Sequence, residues 1–117
     1  MGLPEMIDSY DFGRIVINGR RYTTDLIVFP DRVKDSWWRK EGHSLQIKDL
    51  DEVVQDNPEV LIVGTGYSGL VKVPAETKEY VESRGIELIA QRTAEACKTF
   101  NILVKSKKVV AALHLTC

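Results

Sequence analysis

Val60-Leu61-Ile62-Val63 is an unbroken apolar run that ends on Gly64-Thr65-Gly66-Tyr67-Ser68-Gly69. A strand with one wet face alternates apolar and polar residues, so a run without alternation belongs to a strand covered on both faces. That requires a sheet in the middle of the molecule with a layer on either side. The segments downstream agree with it. Pro74 suits the first position of a helix over about Ala75 to Ser83, and Gly85 suits the left-handed cap after it. Ile86 to Ala90 reads as the next strand, Thr93 as the cap of a helix reaching about Val104, and Val109 to Leu115 as a final strand. Within that helix Ala96, Phe100 and Leu103 make one apolar stripe. With crossovers this long between strands, parallel pairing is the default.

Upstream the period changes to that of strands. Ile15-Val16-Ile17, Asn18-Gly19 and Arg20-Arg21-Tyr22 predict a hairpin, because Asn-Gly tolerates the positive φ angles of a primed turn. Leu26 to Phe29 is a further apolar strand, stopped by Pro30-Asp31. Val33 to Trp38 reads as another short strand, and Gly42-His43-Ser44 as a loop. Asp49 or Asp51 can cap a short helix through Val53-Val54 to about Asp56, closed by Asn57-Pro58. The expectation is one α/β domain over residues 1–117, with an N-terminal β-meander at about 7–46 and a β-α-β-α-β part at about 49–117. A chain of 117 residues has room for one normal core, and 44% apolar with 28% charged residues argues against long disorder.

Several function classes are disfavoured. A net charge of −1 recruits neither nucleic acid nor an anionic membrane. The densest basic group, Lys105-Ser106-Lys107-Lys108, reads as a solvated turn between helix and strand. No apolar run approaches the roughly 18 residues of a membrane span. Met1 to Glu5 lacks the basic-then-apolar pattern of a signal peptide, and Met6 stands where myristoylation wants Ser or Thr. Cys97 and Cys117 have no metal-ligand spacing, and His43 has no second histidine near it in sequence, so no metal is expected. The chain reads as cytoplasmic.

The glycine turn has the form G-x-G-x-x-G after a strand, as in dinucleotide-binding folds. Leu70-Val71-Lys72-Val73 is β-like where a helix should open, and Ala90-Gln91-Arg92 offers no acid for a ribose, so no cofactor is expected. Two readings remain. One is a tight turn where backbones pack closely. The other is the rim of a polar pocket formed by Gly64, Thr65, Gly66, Tyr67, Ser68 and Gly69, able to take a small polar ligand or anion.

His114 lies on a mostly apolar strand, where a satisfied core histidine is the commoner outcome. If that strand is central, His114, Thr116 and Cys117 approach the glycine turn, which makes His114 and Thr65 the catalytic candidates. A terminal carboxylate on Cys117 disfavours its thiolate. Trp37-Trp38-Arg39 is a candidate interface: adjacent strand residues face opposite ways, so one tryptophan enters the core while the other is free for a partner. Asp25 can receive an arginine or a backbone donor in a structural turn, Asn101 can reach a neighbouring loop, and Cys97 reads as a packing residue.

Taken together, Tyr10-x-Phe12-Gly13-x-Ile15, Asp25 before Ile27, Trp38-Arg39-x-x-Gly42-His43, Gly64-Thr65-Gly66, Thr93-x-x-Ala96, Phe100-Asn101 and His114-x-Thr116-Cys117 resemble a small α/β domain-of-unknown-function family of archaea and bacteria. Its eukaryotic relatives include an adipogenesis-associated protein and mitochondrial complex I assembly factor 3. The resemblance implies a three-layer domain with a central mixed, largely parallel sheet, flanking helices and a smaller N-terminal antiparallel sheet. It also implies a cavity near Gly64-Thr65-Gly66, with no established substrate or cofactor, and relatives that associate with other proteins. With no mitochondrial presequence expected here, a complex I role is not carried over. The function expected is an interaction or accessory domain that binds a protein partner or a second copy. The alternative is a small-molecule-binding protein or enzyme using Thr65, Ser68 and His114.

Overall fold

Asn18 and Gly19 both take positive φ, 50° and 80°, and turn β2 (Arg14–Ile17) into β3 (Arg20–Tyr22). With β1 (Ile7–Asp11) these strands form a three-stranded antiparallel sheet in the order β1-β2-β3. The computed structural model describes residues 5–117, so the leader reading of the first residues falls largely outside the described residues. The open edge of β1 is held by a side chain. Asn101 Oδ1 accepts from the Ile7 N–H at 2.9 Å, and Asn101 Nδ2 donates to the Ile7 carbonyl at 2.7 Å.

The second sheet has five strands in the order β5-β4-β8-β6-β7. β6 (Val60–Gly64) pairs parallel with both β7 (Glu87–Gln91) and β8 (Val109–Leu113). β4 (Leu26–Val28) pairs antiparallel with β8, and β5 (Val33–Lys34) with β4. The apolar segment Leu26 to Phe29 thus leaves the N-terminal meander and joins the main sheet, because its four residues are buried on both faces.

The strand expected over Val33 to Trp38 stops at Lys34. Ser36 takes φ +54° and turns the chain, so the Trp37 N–H donates to the Asp25 carbonyl at 2.9 Å instead of entering a ladder. The β-like segment Leu70 to Val73 contributes a single bridge, Lys72 to Ser44.

Alternation along the inner strands divides the core in two. Leu26, Val28, Val60, Ile62, Val109, Ala111 and Leu113 face α3 (Thr93–Leu103) and the small sheet, where Ile15, Ile17, Ala96 and Phe100 are buried. Ile27, Phe29, Leu61, Val63, Val110 and Ala112 face the other way, onto Trp37, Leu45, Leu50, Val53 and Val81. That second layer comprises the loop after β5, a 3-10 turn (Ile47–Leu50), α1 (Asp51–Asp56) and α2 (Ala75–Ser83). Asn57 closes α1 at φ 51°, with its N–H donating to Val54. Each fully buried Leu, Ile or Phe contributes about 1.5–3 kcal/mol relative to exposure, so both layers are needed for stability.

Candidate functional site

The central position of β8 brings its C-terminal end against two neighbours at once. Leu26 pairs with Leu113 across the β4–β8 ladder, so the next residues outward, Asp25 and His114, stand opposite each other. His114 Nδ1 lies 2.6 Å from Asp25 Oδ2, and the Leu115 N–H donates to Asp25 Oδ1 at 2.8 Å. Arg39 Nη2 donates to the same Oδ2 at 2.9 Å. All three side chains are at least nine-tenths buried. Burial pushes the Asp25 carboxyl upward, but the His114 hydrogen bond, the Leu115 amide, the His114 charge and Arg39 outweigh it and hold Asp25 below the usual aspartate range.

Arg39 Nη2 also lies 3.0 Å from His114 Nδ1. With a carboxylate accepting from both, these are two donors meeting at one acceptor and not a bond between themselves. The imidazole proton therefore sits on Nδ1, and Nε2 is turned toward Thr116 Oγ1 at 3.5 Å. Arg39 Nε donates to the Gly42 carbonyl at 2.9 Å, and the guanidinium carbon stands 5.0 Å from the centre of the Trp37 ring. Arg39 Nη1 is buried and has no hydrogen-bond partner among the described residues. A buried donor left without an acceptor costs about 1–3 kcal/mol, more when charged. The exposed His43 ring stands edge-on to His114, with centroids 6.1 Å apart.

The glycine turn lies beside this cluster and is packed by its own chain. A Cβ on Gly66, which has φ +112°, would sit 2.4 Å from the Cys117 carbonyl carbon. Tyr67 N–H donates to Thr116 O at 2.7 Å and Leu70 N–H to Cys117 O at 3.1 Å. The buried Thr93 hydroxyl ties the parts together: it accepts from Gly66 N–H at 2.9 Å and donates to His114 O at 2.6 Å. Thr93 was expected to cap α3, but Arg92 occupies that position without a side-chain cap, and the Thr93 hydroxyl is used across the sheet instead. Thr65 Oγ1 donates to Gln91 O at 3.0 Å, while Tyr67 and Ser68 are exposed. The Tyr67 ring meets exposed Phe12 edge-on at 5.7 Å.

Of the candidate interface residues, Trp37 and the Arg39 side chain are buried, and Trp38 is 72% exposed. Trp38 lines a cleft of about 270 Å³ together with Trp37, Lys34, Asp49, Asp51 and Glu52. A second cleft of about 250 Å³ lies between β1 and α3, beside Asn101 and Cys97. Burial pushes the Cys97 thiol up to about 12, the chemistry of a packing residue rather than a nucleophile. Among the described residues no group of three or more His, Cys, Asp or Glu is placed to hold a metal ion. None of their helices is long and apolar enough to cross a membrane.

Comparison with known proteins gives a consistent picture. The profile of a family described as "Protein of unknown function (DUF498/DUF598)" matches residues 7–114. The chain is 27% identical to the 13 kDa major membrane protein of Francisella tularensis subsp. holarctica (strain LVS), covering 94% of this chain and 89% of that one. It is 29% identical to human NADH dehydrogenase (ubiquinone) 1 alpha subcomplex assembly factor 3, covering 91% of this chain but only 58% of that longer one. Among solved structures, a conserved hypothetical protein from Pyrococcus horikoshii OT3 superposes with a TM-score of 0.84 at 29% identity, covering 95% of this chain and 98% of the other.

Proposed function

The chain belongs to the DUF498/DUF598 family of proteins of unknown function, and from that premise we propose that it is a cytoplasmic accessory domain, not an enzyme, that binds another protein during assembly. Trp38 carries this reading. An indole 72% exposed, at the mouth of a cleft flanked by lysines and acids, has the make-up of an interface anchor inside a polar rim. Trp37 and Arg39 support it from below, with the guanidinium over the Trp37 ring and the Trp37 indole N–H donating to Asp49 O at 3.2 Å. The human relative is named as an assembly factor, which supports the class of role and leaves the partner here unidentified. A second copy of the chain would serve equally to cover Trp38.

The test is a photo-crosslinking residue at position 38, used in living cells and followed by mass spectrometry. A stoichiometric partner should be captured, and the same complex should be lost in Trp38→Ala, which keeps its fold because the side chain is exposed. An unchanged complex in Trp38→Ala removes the support for this surface.

A second reading, small-molecule binding or catalysis, draws on the Asp25–His114 pair, since a buried carboxylate that orients an imidazole is how a base is held in place. Of Thr65, Ser68 and His114, His114 suits that role best, because the Thr65 hydroxyl already donates to Gln91. A metabolite thermal-shift screen tests it: a stabilising compound whose effect vanishes in His114→Ala supports the reading, and hits that persist count against it.

A further inference from the structure

Asp25 is largely satisfied within the protein: Oδ1 takes the Leu115 amide, and Oδ2 takes both His114 Nδ1 and Arg39 Nη2. What the cluster still offers is donors. Arg39 Nη1 has no partner among the described residues, although the side chain is 95% buried and its other nitrogens are occupied. Among the described residues His114 Nε2 is met only by the Thr116 hydroxyl at 3.5 Å, beyond a good hydrogen bond. The guanidinium and the imidazole touch at Nη2 and Nδ1, 3.0 Å apart, so both donor groups belong to one cluster. Charge points the same way, since with His114 protonated one carboxylate faces both a guanidinium and an imidazolium. On the outside, the exposed His43 ring borders the cluster, and its loop is fixed by the Lys72 N–H, which donates to the His43 carbonyl at 2.8 Å, and by Arg39 Nε, which donates to the Gly42 carbonyl at 2.9 Å.

We propose that this cluster is a binding site for a small oxyanion, a carboxylate or phosphate group, held by Arg39 Nη1, protonated His114 Nε2 and the Thr116 hydroxyl, beside the His43 ring. The proposal rests on the second reading above and names its ligand class. Binding takes up a proton at Nε2. The charged and titratable groups that face the His114 ring among the described residues are Asp25, Arg39 and His43. Lower pH therefore strengthens binding until Asp25 itself is protonated.

The experiment titrates the whole protein separately with inorganic phosphate and with acetate, following the His114 ring nitrogens by NMR and the melting temperature. A saturable movement of Nε2, larger at pH 6 than at pH 8, with affinity reduced several-fold in Thr116→Val and lost in Arg39→Lys, is the expected result. Response to phosphate alone or to acetate alone supports the site and tells the two sources apart. Should Arg39→Lys fail to fold, Thr116→Val with the pH comparison decides. A response unchanged by these substitutions, or by pH, means non-specific salt and overturns the proposal. If neither anion moves His114 while an uncharged compound stabilises the protein through it, the oxyanion assignment falls and the ligand reading stands. If nothing moves His114, both fall.

Discussion

Asp25 and His114 are 89 residues apart in the chain and 2.6 Å apart in space, opposed across the last step of the β4–β8 ladder. Asp25→Ala leaves the Arg39 guanidinium and the Leu115 amide buried without their acceptor. A loss of about 3–5 kcal/mol is expected, the range for breaking one side of a buried ion pair. His114→Ala leaves Asp25 paired with Arg39 and should cost less, about 1–3 kcal/mol. Urea unfolding midpoints at constant slope measure both. Equal losses would mean that Arg39 does not hold the carboxylate by itself.

The same carboxylate sets an acid limit. Its folded-state pKa lies below the ordinary value of 3.8, so its contribution to stability is complete above that value and is lost as pH falls through the folded-state value. Stability should therefore drop below about pH 4 with a component that disappears in Asp25→Asn. Urea midpoints at stepped pH values between neutral and strongly acid give the slope, and an identical acid slope in wild type and Asp25→Asn would contradict the assignment.

Gly66→Ala combines a strained φ with a collision against backbone, which has no flexible end to give way. The φ alone costs about 1–3 kcal/mol. Gly19→Ala also has positive φ but meets nothing within 4 Å, so it isolates the conformational part. The alanine at 66 should be clearly the more damaging and should raise hydrogen exchange at the Tyr67 and Leu70 amides, which bond to Thr116 and Cys117. Matching losses at the two positions would show that the close packing adds nothing.

Asn101→Ala removes both hydrogen bonds to Ile7 and is expected to cost about 1–2 kcal/mol in all. Exchange of the Ile7 amide should rise more than that of the β6 amides, since only the edge of the small sheet is released. Asn101→Asp keeps the acceptor and loses the donor, so it should protect Ile7 N–H better than alanine does.

Local signals carried much of the fold. Asn18-Gly19, Asn57-Pro58 and Pro74 each act over a few residues, and the turn and helix boundaries lie where those residues require them. The unbroken run at Val60 to Val63 marked a strand buried on both faces, as it is. Strand order was not legible, because nothing near Leu26 says that it will pair with Leu113. The candidate cluster depends on that order. His114 was visible as a candidate, and Asp25 as a receiver of an arginine or a backbone donor. Their meeting is not visible there, and Arg39 reads as part of a surface that it in fact supports from beneath. Thr93 shows the same limit: its hydroxyl looks like a local cap until His114 and Gly66 are brought to it.

The position of β8 between β4 and β6 has a kinetic consequence. These two flanking strands do not pair with each other; β8, which follows both in sequence, must insert between them before the five-stranded sheet is complete. On a ribosome, residues up to Lys108 can form the small hairpins and the β6–α2–β7 crossover, but Asp25, Arg39 and the glycine turn wait for β8 and residues 114–117. Such long-range pairing is slow to form, because loop closure precedes any reward. The cluster at His114 is thus present only in molecules in which β8 has docked between β4 and β6.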